Sequence, residues 1–178
     1  KTKNYDLIDI YGLKQFKSFQ YNVPGDISSA SFFIVAGLIL KDSCVEFSNI
    51  NMNKYRTGIL SVLEQMGARI EISNLQKISN EYVGDIKVKY SKLKPINISG
   101  EIIPSLIDEL PILFIACSAA SGVSKISGIE ELRYKESDRI KAMEDGLNAI
   151  GIKVSSTQDS IEITGGKIKG GKIDSYDD

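Results

Sequence analysis

Two kinds of hydrophobic pattern run along this chain, and each occurs twice in the same order. The first is a nearly unbroken apolar run behind an acid: "DISSASFFIVAGLIL" from Asp26 and "DELPILFIACSAASG" from Asp108. About a dozen apolar positions suit a buried helix and fall short of the roughly 20 needed to cross a bilayer. The second is an apolar stripe at helical spacing: Ile59, Val62, Leu63 and Met66, then Ile140, Met143, Leu147 and Ile150. Such spacing predicts an amphipathic helix with one face on a core. Within each copy a short strand, "CVEFSNI" or "VSKISGI", and a polar loop separate the two helices. Gly67 and Gly151 follow the second helices as left-handed caps, where a β-carbon is costly. The strands "ARIEI" and "IKVSS" come next.

The copies keep their spacing. Asp108 lies 82 positions after Asp26, and Ile150 lies 84 after Met66. That period is far longer than a solenoid repeat and marks a duplicated module of helices and strands. Further strands are expected in "YVGDIKVKYSKLKPINISG" and in the tail. There "IEITGGKIKGGKIDSYDD" reads as strand, turn, strand, with "KIKGGK" a solvated hairpin. Ser137 is the expected N-cap of the last helix. The fold class is α+β, with apolar helices laid on mixed sheets. The first copy ends near Ile70 to Ser73, which places a boundary between residues 1–70 and 71–178.

Composition narrows the function. The 178 residues are 42% hydrophobic and 25% charged, enough for a core in one or two domains. A formal net charge of -1 gives no general attraction to nucleic acid or to an anionic membrane, so neither is an expected partner. Lys1 to Asp9 is charged and polar and does not read as a signal peptide. Cys44 and Cys117 lie near apolar runs and read as buried thiols, which suits a cytoplasmic location. Histidine is absent, so a histidine triad or histidine metal site within the chain is excluded. No nucleotide-binding glycine motif and no CxxC spacing is present; no metal and no cofactor are expected. Acid–base work falls to aspartate, glutamate and lysine.

Three stretches hold candidate chemistry. In "VPGDISSASFF", Asp26, Ser28 and Ser29 sit at a helix start, where free amides and hydroxyls suit a phosphate or a polyol. Capping of the helix by Asp26 and Ser28 is the alternative. In "IDELPILF", Asp108 and Glu109 precede a helix with Pro111 in its first turn. There Asp108 either faces a cleft as a proton acceptor or simply complements the helix dipole. In "LRYKESDRI", Lys135 and Arg139 stand at a helix N-terminus, the end that disfavours positive charge. An anionic ligand held by an arginine fork and a lysine point charge removes that conflict, with Glu136 available as a general acid. Neutralisation of the cations by Glu136 and Asp138 on a solvated face is the alternative.

Taken together, "VPGDISSASFF", "LEQMGA", "DELPILFIACSAASG" and "LRYKESDRI", in this order and spacing, resemble the 5-enolpyruvylshikimate-3-phosphate synthase family over essentially the whole chain. The resemblance implies repeated βαβαββ units of the enolpyruvyl transferase inverse α/β barrel type. It also implies transfer of an enolpyruvyl group from phosphoenolpyruvate to the 5-hydroxyl of shikimate 3-phosphate, without a cofactor. Carried over residue by residue, it implies Asp108 as the base at the shikimate hydroxyls and Lys135 at the reacting oxygen. Glu136 becomes the acid near the phosphoenolpyruvate methylene, Arg139 a phosphoenolpyruvate ligand, and Ser28 and Ser29 shikimate 3-phosphate contacts. The sister family acting on UDP-N-acetylglucosamine shares the fold but lacks the Lys-Glu-Ser-Asp-Arg string. The other alternative is a non-catalytic α/β binding module, favoured if these side chains diverge. Family chains are more than twice as long, and their N-terminal Lys-Ser string and late His-Arg motif have no counterpart here. The resemblance therefore implies a fragment of a monomeric cytoplasmic parent, with no synthase activity of its own. Its residues 1–70 would close the first domain and residues 71–178 form most of the second.

Overall fold

In a computed structural model that describes residues 9–12, 15 and 17–176, the duplicated pattern becomes two modules of one topology. The first contains α1 (Ile27–Ile39), β1 (Cys44–Asn51), α2 (Gly58–Gln65), β2 (Arg69–Ile78) and β3 (Glu81–Lys89). The second contains β4 (Asn97–Ile98), a 3-10 helix (Gly100–Glu109) running into α3 (Leu110–Ala119), and β5 (Val123–Ser127). A short 3-10 helix (Glu130–Tyr134), α4 (Arg139–Ala149), β6 (Lys153–Ser156) and β7 (Ser160–Thr164) complete it. The first sheet has the order β1-β3-β2, both pairs antiparallel, and Gly25 adds a parallel bridge to Ile50. The second has the order β4-β5-β7-β6, with β4 parallel to β5 and the other pairs antiparallel. With the Gly25 bridge counted as a minimal first strand, both modules are βαβαββ units, as the resemblance implies.

The two amphipathic helices end alike. Gly67 N–H donates to Glu64 O at 2.8 Å and Ala68 N–H to Leu63 O at 3.0 Å. Gly151 N–H donates to Asn148 O at 3.0 Å and Ile152 N–H to Leu147 O at 3.0 Å. These are paired Schellman motifs, with both glycines at φ +88° as the sequence expects. The stripe Ile59, Val62, Leu63 and Met66 is fully buried, as are Ile140 and Leu147. Of the continuous apolar runs, α1 buries Ile27, Ile34, Val35 and Leu38 but leaves Phe32 and Phe33 exposed. Gly100–Ala119 is long and apolar enough by length and composition to cross a bilayer, but half of it is buried in the protein. Its backbone also breaks at Leu106 (φ -145°, ψ 20°).

One core runs through both modules: Ile34, Leu63 and Ile86 belong to the same cluster as Leu113, Phe114 and Ile126. The expected boundary at residue 70 falls inside β2, whose hairpin partner β3 is reached through Ser79 and Asn80, both at positive φ. The seam between modules instead lies at residues 90–96, and the core crosses it. Of the two cysteines expected to be buried, one is. Cys117 is buried, and burial pushes its thiol up to about 11. Cys44 is exposed, because strand alternation puts it with Glu46 on the outer face of β1, opposite Val45 and Phe47.

The tail also differs. No strand follows β7 among the described residues, because β7 already has β5 on one side and β6 on the other. A hairpin partner has no free edge to join. The tail instead runs across the helix ends, with Gly166 N–H to Ser118 O at 3.0 Å and Lys169 N–H to Ile150 O at 2.8 Å. Its glycines allow this approach: a β-carbon on Gly165 would lie 1.7 Å from Ala120 O. The segment "KIKGGK" is exposed, as expected, but not a hairpin.

Candidate active site

Packing of α1 on α3 and of α3 on α4 gathers their N-termini on one face, and the charged stretches meet there. At the start of α1, Asp26 accepts from Ser29 N–H at 2.8 Å and from Ser29 Oγ at 2.9 Å. Burial pushes the Asp26 carboxyl up, but the Ser29 and Ser28 hydrogen bonds and Arg56 outweigh it and hold it below its usual range. Asp26 thus caps α1, as the sequence offered as an alternative, but with Ser29 in place of Ser28. Ser28 has a different role. Its hydroxyl donates to the Glu109 carboxylate and accepts from Arg56 Nη2 at 2.8 Å.

Asp108 lies in the last turn of the 3-10 helix that leads into α3, and two cations flank it. Arg56 Nη2 lies 3.8 Å from Oδ2, and Lys135 Nζ lies 3.7 Å from Oδ1. Arg56 comes from the β1–α2 loop, where Asn53 accepts from its backbone N–H at 2.8 Å. Lys135 also pairs with Glu131 at 3.0 Å; that hydrogen bond, with Asp108 nearby, holds its ammonium above the usual lysine range. Glu136 and Arg139 pair at 2.8 Å, with Glu136 largely exposed and Arg139 largely covered. Asp108 and Arg139 line one open cavity of about 310 Å³, together with Phe32, Pro111, Ser137 and Met143. Glu109, by contrast, is buried at the N-cap of α3, and its side chain makes no capping bond to that helix. Burial raises its carboxyl above the usual range; the Ser28 hydroxyl and Arg56 oppose the rise, and Asp108 adds to it.

The predicted residues Asp108, Lys135, Glu136 and Arg139 therefore converge on one face instead of diverging, and Ser28 joins them through Arg56. Ser29 turns away to Asp26. Two local expectations are corrected. Ser137 does not cap α4; Asp138 does, accepting from Lys141 N–H at 3.0 Å. A carboxylate serves better here because its second oxygen takes Arg133 Nη1 at 2.7 Å. Lys135 is not on α4 either: it ends the preceding 3-10 helix, so it approaches Arg139 through the turn of the loop. Sequence reasoning missed Arg56 and left Glu109 without a role. The duplication held a signal for Arg56, since it stands in the loop of the first module that matches the Lys135 loop of the second.

Fold and site together define a class: a βαβαββ protein with a charged cleft at its helix N-termini, built like an enolpyruvyl transferase. The enolpyruvyl transferase NikO from Streptomyces tendae has this fold, with a TM-score of 0.57 at 16% identity over 78% of this chain and 30% of that one. The family profile for EPSP synthase (3-phosphoshikimate 1-carboxyvinyltransferase) matches residues 1–178, and the chain belongs to that family. Similar proteins include the 3-phosphoshikimate 1-carboxyvinyltransferase of Carboxydothermus hydrogenoformans, 47% identical over 96% of this chain and 40% of the relative. That of Petrotoga mobilis is 49% identical over 93% and 39%. The EPSP synthase structure from Acinetobacter baumannii superposes with a TM-score of 0.83 at 42% identity, covering 86% of this chain and 37% of that one. The chain thus spans about two-fifths of the length of these curated relatives.

Proposed function

We propose that these residues supply one wall of the active site of a 3-phosphoshikimate 1-carboxyvinyltransferase. The reaction joins shikimate 3-phosphate and phosphoenolpyruvate and releases inorganic phosphate, in the biosynthesis of chorismate and aromatic amino acids. The observation that carries the reading is the Asp108 carboxylate between Arg56 and Lys135, at 3.8 and 3.7 Å, beside a cavity that Arg139 lines. A carboxylate that lines a cavity is placed to accept a proton from a hydroxyl bound there. Asp108 takes the proton of the 5-hydroxyl as its oxygen bonds to C2 of phosphoenolpyruvate, and Lys135 steadies the charge on that oxygen. Glu136 delivers a proton to the methylene carbon. Glu136, by then a carboxylate, takes a proton back from the resulting methyl, which re-forms the double bond as the C2–O bond to phosphate breaks.

Ion pairing with Arg139 supports the part given to Glu136. An incoming carboxylate or phosphate competes for the Arg139 guanidinium and releases Glu136 from a 2.8 Å pair. A side chain so released is free to turn to the methylene carbon. Ser28 would offer its hydroxyl to the shikimate 3-phosphate by giving up its bond to Glu109, and Ser29 by giving up its bond to Asp26. Two free thiols support the cytoplasmic location that goes with this reading.

The test is a graft of these 178 residues in place of the matching segment of the Carboxydothermus hydrogenoformans relative. Phosphate release dependent on shikimate 3-phosphate is expected. Asp108→Ala and Glu136→Gln should each lower kcat by about 10²- to 10⁴-fold. Unchanged turnover in the Asp108→Ala graft would overturn the reading. The 178-residue chain alone is expected to show no turnover.

A further inference from the structure

Lys135, Glu136 and Arg139 belong to a stretch with little regular structure of its own. It leaves a 3-10 helix at Tyr134 and enters α4 only at Arg139, with the two bounding residues, Lys135 and Asp138, off helical geometry. Neither a strand ladder nor a helix fixes residues 135–138. One side chain spans the gap. Arg133 Nη1 donates to Asp138 Oδ2 at 2.7 Å, and its Nε donates to Gln158 O at 2.9 Å. Its Nη2 donates to Thr157 O and reaches Ser156 Oγ at 3.4 Å. The Arg133 side chain is only 16% exposed, less than Lys135 at 24% or Arg139 at 23%.

The acceptors belong to two elements distant in sequence. Asp138 is the N-cap of α4; residues 156–158 lead from β6 into the turn before β7. The same turn grips the other side of the short 3-10 helix, with Ile129 N–H on Asp159 O at 3.0 Å. Ser156 Oγ also donates to Glu144 Oε2 of α4 at 2.6 Å. The β6–β7 turn is thus a fixed post, and Arg133 ties both ends of the 134–138 stretch to it. We propose that Arg133 is a positioning residue, whose fork to Asp138 and the β6–β7 turn holds the Lys135–Arg139 stretch with Lys135 at Asp108 and Arg139 on the cavity. The planar guanidinium matters more than the charge. A lysine has one point donor group and cannot serve separate segments in fixed directions.

The positional claim stands independently of the proposed reaction; only its catalytic consequence rests on it. The first measurement is amide hydrogen exchange on the 178-residue chain without substrate, for wild type, Arg133→Ala and Arg133→Lys. Exchange across residues 134–139 should quicken by at least about tenfold in both variants while α1 and α3 keep their protection. Unchanged exchange there, or uniform quickening along the chain, overturns the proposal. If neither arginine variant folds, Asp138→Asn gives the same reading, because its oxygen can still cap α4 while the ionic partner of Arg133 is lost. In the grafted transferase, Arg133→Lys should raise KM for phosphoenolpyruvate with no change in Tm. Local loosening with unchanged KM and kcat would leave the stretch pinned but overturn its catalytic consequence. An inactive wild-type graft would count against the proposed reaction, not against the exchange result.

Discussion

At the scale of single residues, Glu109 is a side chain whose state depends on its setting. It is buried beside Asp108, and burial, the largest influence, raises its proton affinity above the ordinary glutamate value of 4.5. The folded protein therefore holds a proton there more tightly than the unfolded chain. Its contribution to stability is most favourable when protonated and is lost as pH rises from the ordinary value through the raised one. Glu109→Gln keeps an oxygen to accept from Ser28 and removes the ionisation. Its Tm relative to wild type should climb between about pH 4 and about pH 7. Thermal melts at the two pH values check this, and a gap that does not grow with pH would show that Arg56 and Ser28 fully offset the burial.

At the scale of elements, the paired Schellman motifs are the clearest case of one solution used twice. The sequence announces them, because an apolar helix stripe that stops at a glycine predicts a left-handed cap. Both glycines lie at φ +88°, where an L side chain costs about 1–2 kcal/mol. Gly67→Ala and Gly151→Ala should each destabilise by about that amount. The effects should add in the double variant, since the caps belong to different modules and share no partner. Urea unfolding of the three variants tests the sum. A single variant with wild-type stability would mean that the cap relaxes to another geometry.

At the scale of the whole molecule, the continuous core decides how the modules behave. Phe114 is fully buried in α3, the helix that packs against both α1 and α4. Removing its ring should cost about 3–5 kcal/mol. Because one cluster spans both sheets, Phe114→Ala should lower the stability of β1–β3 and of β5–β7 together, in one cooperative transition. Residue-resolved exchange in urea would detect it. Two separated transitions would show instead that each module folds alone.

The sequence by itself determined the helices, their glycine caps and the duplication, since each follows from short-range spacing of apolar residues and glycines. It also offered Asp108, Lys135, Glu136 and Arg139 as candidates, the two cations because positive charge at a helix N-terminus conflicts with the local dipole and so stands out in one dimension. Only the tertiary structure decided that these groups share a face. Lys135 reaches Asp108 across 27 positions of chain through the packing of α3 and α4, and Arg56 reaches it across 52. Strand neighbours were equally hidden: nothing local in the tail says that β7 is already flanked on both sides, so a hairpin read well and did not form. The same holds for Arg133, an unremarkable surface cation in sequence. Its worth lies in carbonyls some 25 residues away, and hydrogen-bond direction across that distance exists only once the chain has folded.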